Sequence, residues 1–376
     1  MTPDIKALTG LRGMAAILVV AYHFFPTANI SETWIKYTIG RGYIWVDLFF
    51  VLSGYVMALN YGKMFTGGFS RAAFVEFLVR RIARIYPLYI VLLGAQLIYT
   101  VIVYGSFHQS IAWPAVTVGN PVHDIPANIL LVQSLAVSPS ILGQAWSIST
   151  ELAAYLAFPA LVALVFCNDR RLLTATALVA VTLLVGVVVI NMQDGAYHSG
   201  SLDAYDGTRI TPLMRCLGEF LCGMLTFRLN TMHRLVTVAS YDSVSFMTLA
   251  VLIVMLVTGA PDLAVAAMFP ALVLCLSQNS GLFAAVFSNV LMYGLGVISY
   301  AMYLLHPLLQ QPRERTEHMM AAYFPHDVAV ALSMLVATVI LLLISVASYN
   351  GIEVPGRRAV RRLSGRPSQQ RALADG

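Results

Sequence analysis

Apolar residues gather in stretches of about 20 along most of the chain, and polar residues are scarce inside them. Ten such stretches are readable, at about 9–25, 43–61, 82–104, 144–166, 172–191, 211–229, 241–259, 263–279, 289–309 and 328–349. A helix of that length crosses a hydrocarbon core and satisfies its own backbone hydrogen bonds on the way. The pattern therefore predicts an all-α protein: a polytopic transmembrane helical bundle of about ten spans. The two longest connections, at about 105–143 and 191–210, are rich in Gly, Pro, Asp and Ser, as loops are. No repeat of helix-pair length and no inverted half-to-half pattern is visible.

Composition strengthens this reading. Hydrophobic residues make up 59% of the chain and charged residues 11%, roughly half the charge of a soluble domain. The net charge of +5 does not call for nucleic acid, because the basic residues border the spans. With the N-terminus inside, 17 of the 23 Lys and Arg fall on the inner side. The positive-inside rule then places the N- and C-termini in the cytoplasm, as for a multi-pass protein of the inner membrane. Cys167, Cys216, Cys222 and Cys275 form no close pair, so neither a disulfide framework nor a metal site is expected. The first run lacks a convincing small-x-small cleavage site and reads as a retained span.

The few polar residues inside the spans carry the candidate chemistry, because a buried polar group in lipid is costly and needs a reason. Arg12 and His23 lie eleven residues apart, hence on one helix face and about 16 Å apart along it. Arg81 and Arg84, with Arg80, open the third span at i, i+3 and i+4 spacing and join Arg12 in a basic cluster at the inner edge. Guanidinium groups take phosphates in forked geometry, although arginines so placed also serve as topology anchors. Asp47 stands near the outer end of the second span, where it also fits a cap. Gly54 in that span would let another helix come close. Glu151 belongs to a stripe with Ser147 and Tyr155, as a functional carboxylate or one half of an ion pair. His306 ends a stripe with Ser299 and Tyr303, as a catalyst or a packing residue. Arg215 and Glu219 read as a structural i, i+4 pair. By depth, His23, Asp47, Glu151 and His306 fall in the outer half and the arginines near the inner edge.

Five segments in order then resemble the bacterial integral-membrane acyltransferase family 3, the O-acyltransferases of cell-surface polysaccharides. They are Thr9-Gly10-Leu11-Arg12-Gly13 through Tyr22-His23; Val46-Asp47-Leu48-Phe49-Phe50-Val51-Leu52-Ser53-Gly54; Arg81-Ile82-Ala83-Arg84-Ile85-Tyr86-Pro87; Trp146-Ser147-Ile148-Ser149-Thr150-Glu151; and Ile298-Ser299-Tyr300-Ala301-Met302-Tyr303-Leu304-Leu305-His306-Pro307. Ile352-Glu353-Val354-Pro355 also fits. Thr9 stands where the family usually has an acidic residue, and Leu152 where another polar group often follows Glu151.

The resemblance implies a membrane acyltransferase domain over 1–350 and a basic cytoplasmic tail over 351–376, with no room for an appended hydrolase-like domain. It implies transfer of an acyl group, most often acetyl, from cytoplasmic acetyl-CoA or another acyl-CoA to a hydroxyl of a carbohydrate acceptor, a polysaccharide or lipid-linked sugar such as exopolysaccharide or lipopolysaccharide. A hydroxyl becomes a good nucleophile once a base removes its proton, and histidine is the usual base near neutral pH. His23 is the expected base, with Glu151, Asp47 or His306 orienting it or holding the acceptor. Arg12, Arg81 and Arg84 would bind the donor's phosphates. A two-step route through an acyl-histidine stays open. The rival readings are a transporter or flippase with a proton relay, and a non-catalytic membrane subunit.

Overall fold

The computed structural model describes residues 5–25, 33–104, 111–112, 115–116, 120–195 and 199–363. Parts of the two long expected loops, and the expected tail beyond 363, lie outside these residues. Apart from a two-residue pairing of Ile111–Ala112 with Ala115–Val116, the regular structure among them is helical.

All ten expected spans coincide with helices. These are α1 (Lys6–Phe24), α2 (Trp45–Tyr61), α3 (Arg71–Tyr104), α4 (Trp146–Val165), α5 (Arg170–Asp194), α6 (Thr211–Leu229), α7 (Asp242–Val257), α8 (Met268–Gln278), α9 (Val290–Leu305) and α10 (His326–Ser348). Among the described residues seven segments, built on α1 to α5, α9 and α10, are long and apolar enough to cross a membrane. Two more candidates are bent: His233–Ala239 meets α7 at 75°, and Asp262–Gln278 meets Leu282–Ser288 at 97°. The molecule is a multi-pass membrane protein. α6, which carries Arg215, Glu219 and Arg228, is not among these candidates. It is enclosed instead by α2, α4, α5 and α8.

Two close helix contacts set the frame. A Cβ on Gly54 would lie 2.0 Å from the Phe220 carbonyl oxygen, and one on Gly223 would lie 2.0 Å from that of Val51. α2 and α6 therefore meet backbone to backbone, the approach that small residues permit in lipid. Gly13 and Gly296 play the same part between α1 and α9. α5 stays peripheral, with Leu178, Val179 and Val181 exposed toward the lipid.

α3 has 34 residues, about 51 Å of helix, well beyond the roughly 30 Å hydrocarbon core. Its first turns can thus carry Arg80, Arg81 and Arg84 at the membrane edge. α10 ends in a π turn at Tyr349–Glu353, which leads into α11 (Val354–Leu363). α11 begins the expected tail, and it is an ordered helix docked on α3. Gly356 sits so close to Pro87 that a Cβ would lie 2.4 Å from the proline ring.

Candidate active site

α1 offers a functional group near each end. Arg12 reaches a cavity of about 850 Å³, counted with its mouth, and Arg81 and Arg84 of α3 reach the same cavity. The expected convergence of the three arginines is what the structure contains. Arg81 donates to the Tyr61 hydroxyl at 2.7 Å and lies over that ring at 4.8 Å. Arg80 turns away to Glu76 at 2.6 Å. Such clefts of a few hundred Å³ with convergent polar groups are where ligands bind.

Glu151 lines this cavity too, beside the arginines rather than beside the histidines. Its Oε1 accepts from the Ser53 hydroxyl at 2.5 Å and the Tyr155 hydroxyl at 2.6 Å. Glu151 and Tyr155 of the α4 stripe meet Ser53 of α2, so depth along the chain misled about the neighbours of Glu151. Glu353, buried at the π turn, accepts from Arg357 at 3.0 Å and stands 3.9 Å from Arg84. Reasoning from the sequence gave Glu353 no role. Its i, i+4 spacing to Arg357 was the available signal.

At the other end of α1, His23 is exposed and its ring lies 4.6 Å from that of His306. His23 Nδ1 lies 2.9 Å from the Val19 carbonyl oxygen, which can only accept, so Nδ1 carries the proton. In the neutral ring Nε2 then holds the lone pair. His306 is fully buried, and neither of its ring nitrogens has a hydrogen-bond partner among the described residues. Tyr303 stands between this pair and the cavity. It lines the cavity, bonds Ser147 at 2.9 Å and Gln144 O at 3.0 Å, and has its ring 5.9 Å from His306.

Asp47 is elsewhere. It is fully buried and gives both oxygens to Arg215, at 2.7 Å each. Arg215 also donates to Tyr43 O at 3.0 Å and lies over the Trp146 ring at 5.4 Å. The expected Arg215–Glu219 pair does not form. A guanidinium matches a carboxylate best in planar, bidentate geometry, and Asp47 on the neighbouring helix supplies it. Both Glu219 oxygens lack a hydrogen-bond partner among the described residues. Nor do those residues place three or more His, Cys, Asp or Glu where they could hold a metal ion.

A family model described as an acyltransferase domain, family 3, matches residues 5–350. The chain belongs to this acyltransferase family. Acyltransferase MdmB of Streptomyces mycarofaciens is 33% identical over 164 residues, covering 41% of this chain and 38% of that protein. Protein 2 in the picA locus of Rhizobium radiobacter is 38% identical over 97 residues, 26% of this chain and 46% of that one. Peptidoglycan O-acetyltransferase OatA of Listeria monocytogenes is 30% identical over 174 residues, 45% of this chain and 26% of that one. The chain thus matches less than half the length of each of these relatives. No solved structure matches it significantly. Both the arginine-lined cavity and the histidine pair fall inside the part matched to the acyltransferase family.

Proposed function

We propose that this protein is an O-acyltransferase that moves an acyl group, acetyl before others, from a cytoplasmic acyl-CoA to a hydroxyl of a cell-surface or exported carbohydrate. The observation that carries the reading is one cavity holding Arg12, Arg81 and Arg84, with the His23–His306 pair behind Tyr303. A relative named as a peptidoglycan O-acetyltransferase supports a carbohydrate acceptor. Three guanidinium groups suit the phosphates of coenzyme A. His23 Nε2 takes the proton of the acceptor hydroxyl, whose oxygen attacks the thioester carbonyl. The C–S bond breaks, and the departing thiolate takes the proton back from the imidazolium. Purified protein given labelled acetyl-CoA and native membranes should place label on carbohydrate. Label that never leaves the thioester would refute the reading and favour a transporter or a subunit.

Both termini in the cytoplasm of the inner membrane belong to the same proposal, with the enclosed α6 as a tenth span beside the nine candidates, supported by the distribution of Lys and Arg. A reporter fused after Gly376 should be active only in the cytoplasm; activity on the far side would exclude this orientation.

The arginines should act on the donor. Replacing Arg81 and Arg84 with Gln removes charge and keeps hydrogen-bond donors. Each charge-assisted bond contributes about 1.5–3 kcal/mol, so donor affinity should fall about tenfold or more. A truncated pantetheine thioester, which has no phosphates to lose, should be affected less. Equal losses for the two donors would recast these arginines as topology anchors.

A further inference from the structure

The connection between α5 and α6 passes beside the His23 end of α1, and its course is built with unusual investment. Asn191 donates to Ser201 O at 3.0 Å. The Leu202 amide and the Ser201 hydroxyl donate to Asp262 at 2.9 and 3.1 Å. Asp262 is itself paired with Arg41 and accepts from the Tyr43 hydroxyl at 2.9 Å. Arg215, held by Asp47, donates to Ala204 O at 3.3 Å. Gly200 lies so close to the Tyr43 hydroxyl that a Cβ would come within 1.8 Å of it. Two buried ion pairs thus brace one short stretch whose residues Leu202 to Ala204 are themselves buried. Burying an ion pair generally gains little stability over apolar packing, so the gain lies in where the stretch is placed.

That placement brings a polar and aromatic group to the base. The Ser199 hydroxyl lies 2.9 Å from that of Tyr22, and the Ser199 amide donates to Asp203 at 3.1 Å. The Tyr22 ring stands edge-on to His23 with centroids 4.7 Å apart. Tyr205 follows in the same stretch and is 40% exposed. Its hydroxyl is pushed up to about 12 by burial first, then by Asp203, Tyr22 and Asp206, so it remains a protonated donor at neutral pH. Aromatic rings with a polar tip, beside hydroxyls, can receive the C–H face and the hydroxyls of a sugar at once. Asp203, which accepts from the Ser199 amide, is buried behind them.

We propose that Tyr22, Ser199 and Tyr205 form the acceptor subsite, which holds a carbohydrate ring with its hydroxyl toward His23 Nε2. Asp203 positions Ser199, and the Arg41–Asp262 and Asp47–Arg215 pairs hold the stretch in place. This subsite rests on the acyl-transfer reading and supplies it with the side that recognises the sugar.

The test uses the full-length protein in native membranes with labelled acetyl-CoA. It follows label entering carbohydrate, label released to water, and affinity for coenzyme A. Tyr205→Ala should lower transfer into carbohydrate about tenfold and leave release to water and coenzyme A affinity unchanged. Ser199→Ala should shift the same way, and Tyr205→Phe, which keeps the ring, should retain most of the transfer. Unchanged carbohydrate labelling in Tyr205→Ala would overturn the subsite. So would an equal loss of carbohydrate labelling, release to water and coenzyme A affinity, which would make the stretch purely structural. A wild-type protein that moves no label from acetyl-CoA would fail differently: the acyl-transfer reading itself would fall, and the subsite with it.

Discussion

His23→Ala is expected to slow acyl transfer by about 10²–10⁴-fold, the usual worth of general base catalysis. The geometry singles out this ring. The Val19 carbonyl holds the proton on Nδ1, which leaves the Nε2 lone pair to take a proton. The side chain is exposed, so an acceptor hydroxyl can come within hydrogen-bond reach. His306 is fully buried and its ring lies against His23 at a 51° tilt, which suits a ring that fixes its neighbour's orientation. The loss should appear in the turnover rate, with coenzyme A affinity nearly unchanged, because Arg12, in the cavity with the other two arginines, lies about 16 Å away along α1. It should be alike for acetyl-CoA and for a truncated thioester. Near-normal transfer by the variant would move the base to another group.

Asp47→Ala is expected to cost about 3–5 kcal/mol of stability, because it strands the buried Arg215 charge. Arg215 spans more than its own helix. Its bonds to Tyr43 O and Ala204 O tie the turn before α2 and the α5–α6 connection to α6. Losing Asp47 should therefore loosen the proposed acceptor subsite as well as the bundle. The double variant Asp47→Leu with Arg215→Met removes both charges and should recover much of the loss, since apolar groups of similar volume often replace a buried pair without penalty. Thermal unfolding in detergent would measure both. A single variant that melts with the wild type would contradict the structural assignment. Full stability with no transfer would return Asp47 to the chemistry.

The helices and their order were legible in the chain because lipid leaves a spanning segment few alternatives. Each backbone amide must bond within its own helix, so an apolar run of about 20 residues declares itself. Arg12 and His23 share a face by helix geometry alone, and Gly54 marked a close approach before any partner was known. The convergence of Arg12, Arg81 and Arg84 also followed, because scarce charges at one membrane edge have few places to go.

Partners across helices were not legible. Glu151 faces Ser53 rather than the histidines, Asp47 takes Arg215 away from Glu219, and Glu353 returns from the far end of the chain to Arg84. Each of these outcomes depends on how far a helix is rotated about its axis and on which helix lies beside it. A single sequence specifies the turns along a helix but not the angle at which its neighbours meet it. The backbone contacts at Gly54, Gly223, Gly13 and Gly296 set those angles, and through them they decide which of the polar side chains meet.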